Sequence, residues 1–119
     1  MSRQQQGETC IFCAIERGDL PSTKVYEGKD VIAFRDVAAQ APVHVLVVPR
    51  KHIPSVDSLL HETKLLGQLL DVCVEVAQSE GLTEPGYRIV SNHGRDGAQT
   101  VDHLHFHVLG GRLLDGKLG

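Results

Sequence analysis

The chain has 119 residues, 41% of them hydrophobic, a formal net charge of −3 and three cysteines. That describes one small domain with a thin core, for which pairing with a second copy is a common remedy. No apolar run approaches the roughly 20 residues of a membrane span, Lys and Arg are too scattered for a nucleic-acid surface, and an odd cysteine count builds no disulfide framework, so the expectation is a cytoplasmic protein without membrane or nucleic-acid partners.

Residues 1–8 are polar, lack the apolar segment of a secretion signal and read as a disordered leader. Residues 10–17 are expected to form a short helix, with Ile11, Phe12 and Ile15 on one face and Gly18 at its end. Residues 24–27 and 31–34 read as strands around the turn Gly28-Lys29-Asp30. Residues 36–42 connect to a mostly apolar strand, 43–48, which carries His44 and is ended by Pro49. Then comes the one long helical pattern, in which Leu59, Leu66, Leu69, Leu70, Cys73, Val76 and Ala77 recur at steps of three and four. Its start is placed between Asp57 and Glu62, and Gly81 closes it. Residues 87–91 read as a strand, 92–98 as a glycine-containing loop and 100–109 as the last strand. The expected class is α+β: an antiparallel sheet of about five strands backed by one long helix, with a short N-terminal helix.

The last strand holds His103-Leu104-His105-Phe106-His107-Val108-Leu109. Alternation is the strand period, so the three imidazoles are expected on one face and the apolar residues on the other. One metal held by all three is disfavoured by distance. Residues two apart on a strand are about 6.6 Å apart, whereas a zinc–nitrogen bond is about 2.0–2.1 Å. Nucleophilic catalysis fits better. An imidazole can attack phosphorus, and neighbouring histidines can donate to the phosphate oxygens. His105, with a histidine on each side, is the natural attacker. The preceding loop brings Gly94 and Gly97, whose backbone can approach an anion closely, and Gln99 and Thr100 as further donors.

These residues resemble the histidine triad (HIT) superfamily, whose signature is His-x-His-x-His followed by two apolar residues. The loop Asp96-Gly97-Ala98-Gln99-Thr100-Val101, the ending Gly110-Gly111-Arg112 and the run from Phe34 to Ile53 resemble its Hint branch, the purine nucleoside phosphoramidases. The resemblance runs from about Cys10 to Arg112 and implies a HIT domain over residues 9–112 with a tail at 113–119. It implies a homodimer whose sheets join, and hydrolysis of the P–N bond of AMP- or GMP-amine phosphoramidates and aminoacyl adenylates. By the same resemblance, His105 is the nucleophile, His107 binds phosphate and His44 supports the nucleophile. Asn92 and Thr100 contact phosphate and leaving group in a loop that includes Ala98 and Gln99. Asp36 holds the ribose, and Ile11, Phe12, Ile15, Phe34, Val37 and Leu46 form a purine slot. The family more often has serine where Thr100 stands, and the tail here lacks the tryptophan of well-known Hint proteins. Two rival readings are a dinucleoside polyphosphate hydrolase and a nucleotide-binding regulatory module with weak catalysis.

Cys10-Ile11-Phe12-Cys13 is a Cys-x-x-Cys step. It is open to three readings: a redox pair, two buried cysteines without a ligand, or half of a structural zinc site completed by His52 and His103. Several bacterial members of the superfamily look built in the third way. Cys73 lies on the apolar face of the long helix and is expected to be core.

Overall fold

A computed structural model describes residues 9–119; the expected leader at 1–8 lies outside the described residues. Helix α1 (Ile11–Arg17) ends at Gly18, which takes the left-handed conformation (φ 87°) that glycine adopts without strain. Strands β1 (Lys24–Glu27), β2 (Val31–Arg35) and β3 (Val43–Pro49) follow as a meander. A short 3-10 turn at Val56–Leu59 precedes helix α2 (Thr63–Ser79). Strands β4 (Tyr87–Val90) and β5 (Phe106–Gly110) complete one antiparallel sheet of order β1-β2-β3-β5-β4.

The alternation of the strands divides the core in two. Val31, Ala33, Val45, Val47, Phe106 and Val108 point to one face and pack under α2 through Leu69, Val72, Cys73, Val76 and Ala77. Ile32, Phe34, Leu46 and Val48 point to the other and are covered by α1 through Phe12, Cys13 and Ile15. Strand β3 serves both clusters and is buried along nearly its whole length, as its unbroken apolar composition requires. Cys73 is fully buried, and desolvation pushes its thiol up to about 12.

Two expectations are corrected. The last strand begins at Phe106, not residue 100. The ladder with β3 ends at the pair Val47–Phe106, although β3 itself runs on to Pro49, and the ladder with β4 ends at Val90–His107, so residues 100–105 lie outside both. They bond elsewhere: Leu104 N–H donates to the Ile53 carbonyl (2.6 Å), and the Ser91 hydroxyl donates to the His105 carbonyl (2.9 Å). The long helix begins at Thr63, and Leu59 of its expected pattern sits buried in the 3-10 turn. Val72 is buried on its core face, while Leu70 is 38% exposed.

Candidate functional site

The three alternate histidines do share the α1 face of the sheet, opposite Leu104, Phe106 and Val108. His103 and His105 are buried and His107 is half-buried. Each meets a different neighbourhood, and the partners fix the tautomer of each ring.

His105 Nδ1 lies 2.7 Å from the His103 carbonyl oxygen. A carbonyl only accepts, so Nδ1 carries the proton and the Nε2 lone pair is left as a nucleophile. The Phe12 ring meets His105 edge-on at 5.1 Å and Phe34 at 5.5 Å, which walls the imidazole in place. His44 is fixed from the other end. The Gln40 N–H donates to its Nδ1 (3.0 Å), so the His44 proton sits on Nε2. That Nε2–H points at His107 Nδ1, 2.9 Å away, with the Asp36 carboxylate at 3.4 Å. His107 Nδ1 is therefore an acceptor, and His107 keeps its proton on Nε2 as a donor. Asp36, His44 and His107 place ligand atoms within 4.8 Å of one another, and this hydrogen-bonded string accounts for their closeness. Burial keeps all three rings neutral. Desolvation lowers His44 and His105 and pushes His107 down to about 4, with further lowering of His107 by His105 and His44.

His103 turns the other way. Its Nε2–H donates to the Pro49 carbonyl (2.9 Å), so its Nδ1 lone pair faces Cys10 Sγ at 3.3 Å and Cys13 Sγ at 3.5 Å. His52 Nδ1 lies 3.3 Å from Cys13 Sγ. The four ligand atoms fall within 4.8 Å of one another. With zinc bonds of about 2.3 Å to sulfur and 2.0–2.1 Å to nitrogen, the S···N edge of a tetrahedron is about 3.6 Å. The observed spacings match that edge, so these residues fit a tetrahedral metal centre. This geometry gathers the four residues that the sequence pattern nominated.

The loop at 92–100 is tied to itself and to the segment after β3. Asn92 donates to the Gly97 carbonyl (2.6 Å), and His93 Nδ1 meets the Ser55 hydroxyl at 2.7 Å. The Gln99 amide donates to the carbonyls of Pro54 and Val101 and accepts from Gly94 N–H. Both Gln99 donors thus point into the protein rather than outward. Ala98 takes a left-handed backbone (φ 60°), and Thr100 is exposed at the mouth of the histidine strand. Of the expected purine slot, Phe12, Ile15, Phe34 and Leu46 are buried together beside His105, while Ile11 and Val37 stand exposed at 45% and 101%. The Asp36 carboxylate accepts from Ala38 N–H (2.8 Å) and keeps acceptor capacity for a ligand. Sequence reasoning missed Ser91, Ser55 and the Gln40 amide. A backbone N–H carries no residue signature, and a serine at a strand end reads as a turn residue.

A histidine with a carbonyl-locked tautomer and a free Nε2 lone pair, beside a histidine donor string, is an arrangement chemically able to attack phosphorus. The family model of the HIT domain matches residues 17–114. The chain belongs to the HIT domain family. It is 44% identical over 108 residues to the purine nucleoside phosphoramidase of Escherichia coli K12, covering 90% of this chain and 91% of the relative. It is 42% identical over 116 residues to a 14 kDa zinc-binding protein of Zea mays, covering 95% and 90%. The solved structure of a HIT family hydrolase from Clostridium thermocellum superposes with a TM-score of 0.89 at 41% identity, covering 93% of this chain and 97% of that one. This HIT protein is thus a hydrolase with the five-stranded sheet and two helices of its family, and its Cys-x-x-Cys lies in a cluster able to bind a metal. Among the described residues no helix is long and apolar enough to cross a membrane.

Proposed function

We propose that this HIT hydrolase cleaves the P–N bond of purine nucleoside phosphoramidates through a nucleotidyl–His105 intermediate. The observation that carries the reading is the His105 Nδ1–H bond to the His103 carbonyl, which leaves Nε2 free to attack. In the first half-reaction Nε2 forms a bond to the α-phosphorus as the P–N bond breaks, and the departing amine takes a proton from water at the open leaving-group side beside exposed Thr100. In the second, water adds to phosphorus and releases a proton to solvent, the P–Nε2 bond breaks with its electron pair returning to Nε2, and the nucleoside monophosphate leaves. His107 Nε2–H stabilises the phosphate oxygens, where charge builds. His44 holds His107 in the donor tautomer. Thr100 and Asn92 face phosphate and leaving group, within the loop that carries Ala98 and Gln99. Asp36 binds the ribose hydroxyls. The purine stacks over the buried Phe12, Ile15, Phe34 and Leu46, with Ile11 and Val37 closing on it from the rim.

Cys10, Cys13, His52 and His103 would hold Zn2+, which supplies a structural clamp rather than reactivity. The name of the maize relative and the tetrahedral spacings support that ion. Three free cysteines fit a reducing cytoplasm, and β4 at the open sheet edge fits a homodimer. The HIT domain is read as 9–112 and the tail as 113–119.

The test is turnover of adenosine phosphoramidate against diadenosine polyphosphates by the purified protein. His105→Asn should keep nucleotide binding while losing turnover by several orders of magnitude. Unchanged activity in that variant, or preference for the polyphosphates, would overturn the reading.

A further inference from the structure

The ending Gly110-Gly111-Arg112 lies beyond the last histidine, and no step above uses it. Its geometry gives it a task. Gly111 takes a left-handed turn (φ 95°) immediately after β5. A Cβ there would stand 2.8 Å from the Pro42 side chain, so only glycine fits both the turn and the contact. The turn delivers Arg112 to the connection between β2 and β3, where its Nη2 donates to the Gln40 carbonyl at 3.0 Å; its Nη1 donates to the Leu113 carbonyl. The same Gln40 residue donates its backbone N–H to His44 Nδ1. The string is thus Arg112, Gln40, His44, His107.

We propose that Arg112 is a positioning residue, whose grip on the Gln40 carbonyl keeps the His44 ring in its Nε2–H tautomer. The inference rests on the phosphoramidase reading only for the substrate used in its activity readout. Near its start the connection 36–42 is held by Asp36 N–H to the His44 carbonyl of β3 and by Ala38 N–H to the Asp36 carboxylate. Arg112 holds its far half, where Gln40 sits. If that half loosens, His44 Nδ1 loses its donor and the ring can carry its proton on Nδ1. His44 Nε2 would then present a lone pair to His107 Nδ1. His107 would have to reverse as well, turning a lone pair instead of N–H toward the phosphate. The loss falls on the transition state, where phosphate charge grows, more than on ground-state binding.

The experiment compares Arg112→Ala and Arg112→Lys with the wild type. Side-chain 15N NMR reports the tautomers of His44 and His107, and steady-state kinetics with adenosine phosphoramidate report function. Wild-type His44 should show the Nε2–H form alone. Arg112→Ala should mix the two forms and lower kcat about tenfold, with KM changed less than about twofold. Arg112→Lys, which can still donate to a carbonyl, should recover most of kcat and the single tautomer. An unfolding midpoint within a few degrees of wild type shows that the fold is intact. The proposal is overturned if His44 keeps one tautomer in Arg112→Ala, or if kcat is unmoved while the tautomers mix. If the wild type does not turn over the phosphoramidate, the phosphoramidase reading fails instead, and the NMR readout still decides the role of Arg112.

Discussion

The five-residue triad shows how little separates like side chains by role. His103, His105 and His107 have the same chemistry and the same strand phase, and their different hydrogen-bond partners suit them to the three tasks of the proposed function: ligand, nucleophile and donor. Those tasks need neutral rings, and burial supplies them. His107 is held at about 4, below the ordinary value of 6.5, and His44 and His105 are lowered too. The unfolded chain then binds more protons than the folded one between those values. Their contribution to stability is fully present above about pH 6.5 and is lost as pH drops toward 4. Urea midpoints should decline across that window, and less steeply in His107→Asn; equal slopes would remove His107 from the linkage. A second residue-scale prediction concerns Gly97. A Cβ on it would lie 2.3 Å from the His93 carbonyl oxygen, a backbone contact that cannot yield cheaply. Gly97→Ala should destabilise by roughly 1–3 kcal/mol, read from denaturant midpoints, and raise KM because Asn92 is tied to the Gly97 carbonyl. The histidines and cysteines were legible in the sequence because their spacing carries the information. Gln99 was misleading in isolation, since residue type shows a donor but not which way it points.

Among the elements, α1 owes most to contacts outside itself. Seven residues are too few for a helix to persist alone. Cys10 accepts from the Cys13 amide at the N-terminus, and the two thiols face His52 and His103 from separate parts of the chain. The same helix carries Phe12, which packs on His103 and His105. Losing a residue of this candidate metal cluster should therefore disturb His105, the proposed nucleophile, through Phe12 and the His103 carbonyl. In Cys13→Ser, backbone amides over α1 should exchange much faster by hydrogen–deuterium mass spectrometry. The melting temperature should drop by roughly 10 °C. Unchanged protection of α1 would show that its apolar face alone holds it. The order of the elements was readable from periodicity, which gave every strand and both helices. Two boundaries were not. The alternation of residues 103–109 is a strand pattern throughout, yet the Leu104 N–H turns away to the Ile53 carbonyl and β4 stops at Val90, so residues 103–105 join no ladder. Leu59 fits the helical spacing, yet His61 adopts a left-handed backbone (φ 67°) that separates it from α2.

For the whole molecule, the sheet and α2 leave the same side open. Strand β4 is an edge, with a row of backbone groups that no strand among the described residues pairs. On α2, the flank holding Gln68, Asp71 and Glu75 lines a cleft with Tyr26, Lys29 and Asp30 of the β1–β2 hairpin, and Gln68 bonds Asp30 at 3.2 Å. At 3.6 residues per turn, Leu70 and Val74 lie on the opposite flank, toward β4. They are 38% and 41% exposed. An unpaired strand beside exposed apolar side chains fits a second copy, with the two β4 strands antiparallel and the two α2 helices face to face. The protein should sediment as a dimer of twice its 13.0 kDa. The double variant Leu70→Glu, Val74→Glu places four carboxylates at that contact and should shift the equilibrium to monomer, leaving far-ultraviolet circular dichroism unchanged because neither residue is in the core. A wild-type monomer at micromolar concentration, or a dimer indifferent to the two carboxylates, would locate the self-association elsewhere. If the dimer dissolves and kcat falls as well, the partner contributes to the site; if kcat holds, each 119-residue chain is a complete catalyst and pairing serves only to bury its open edge.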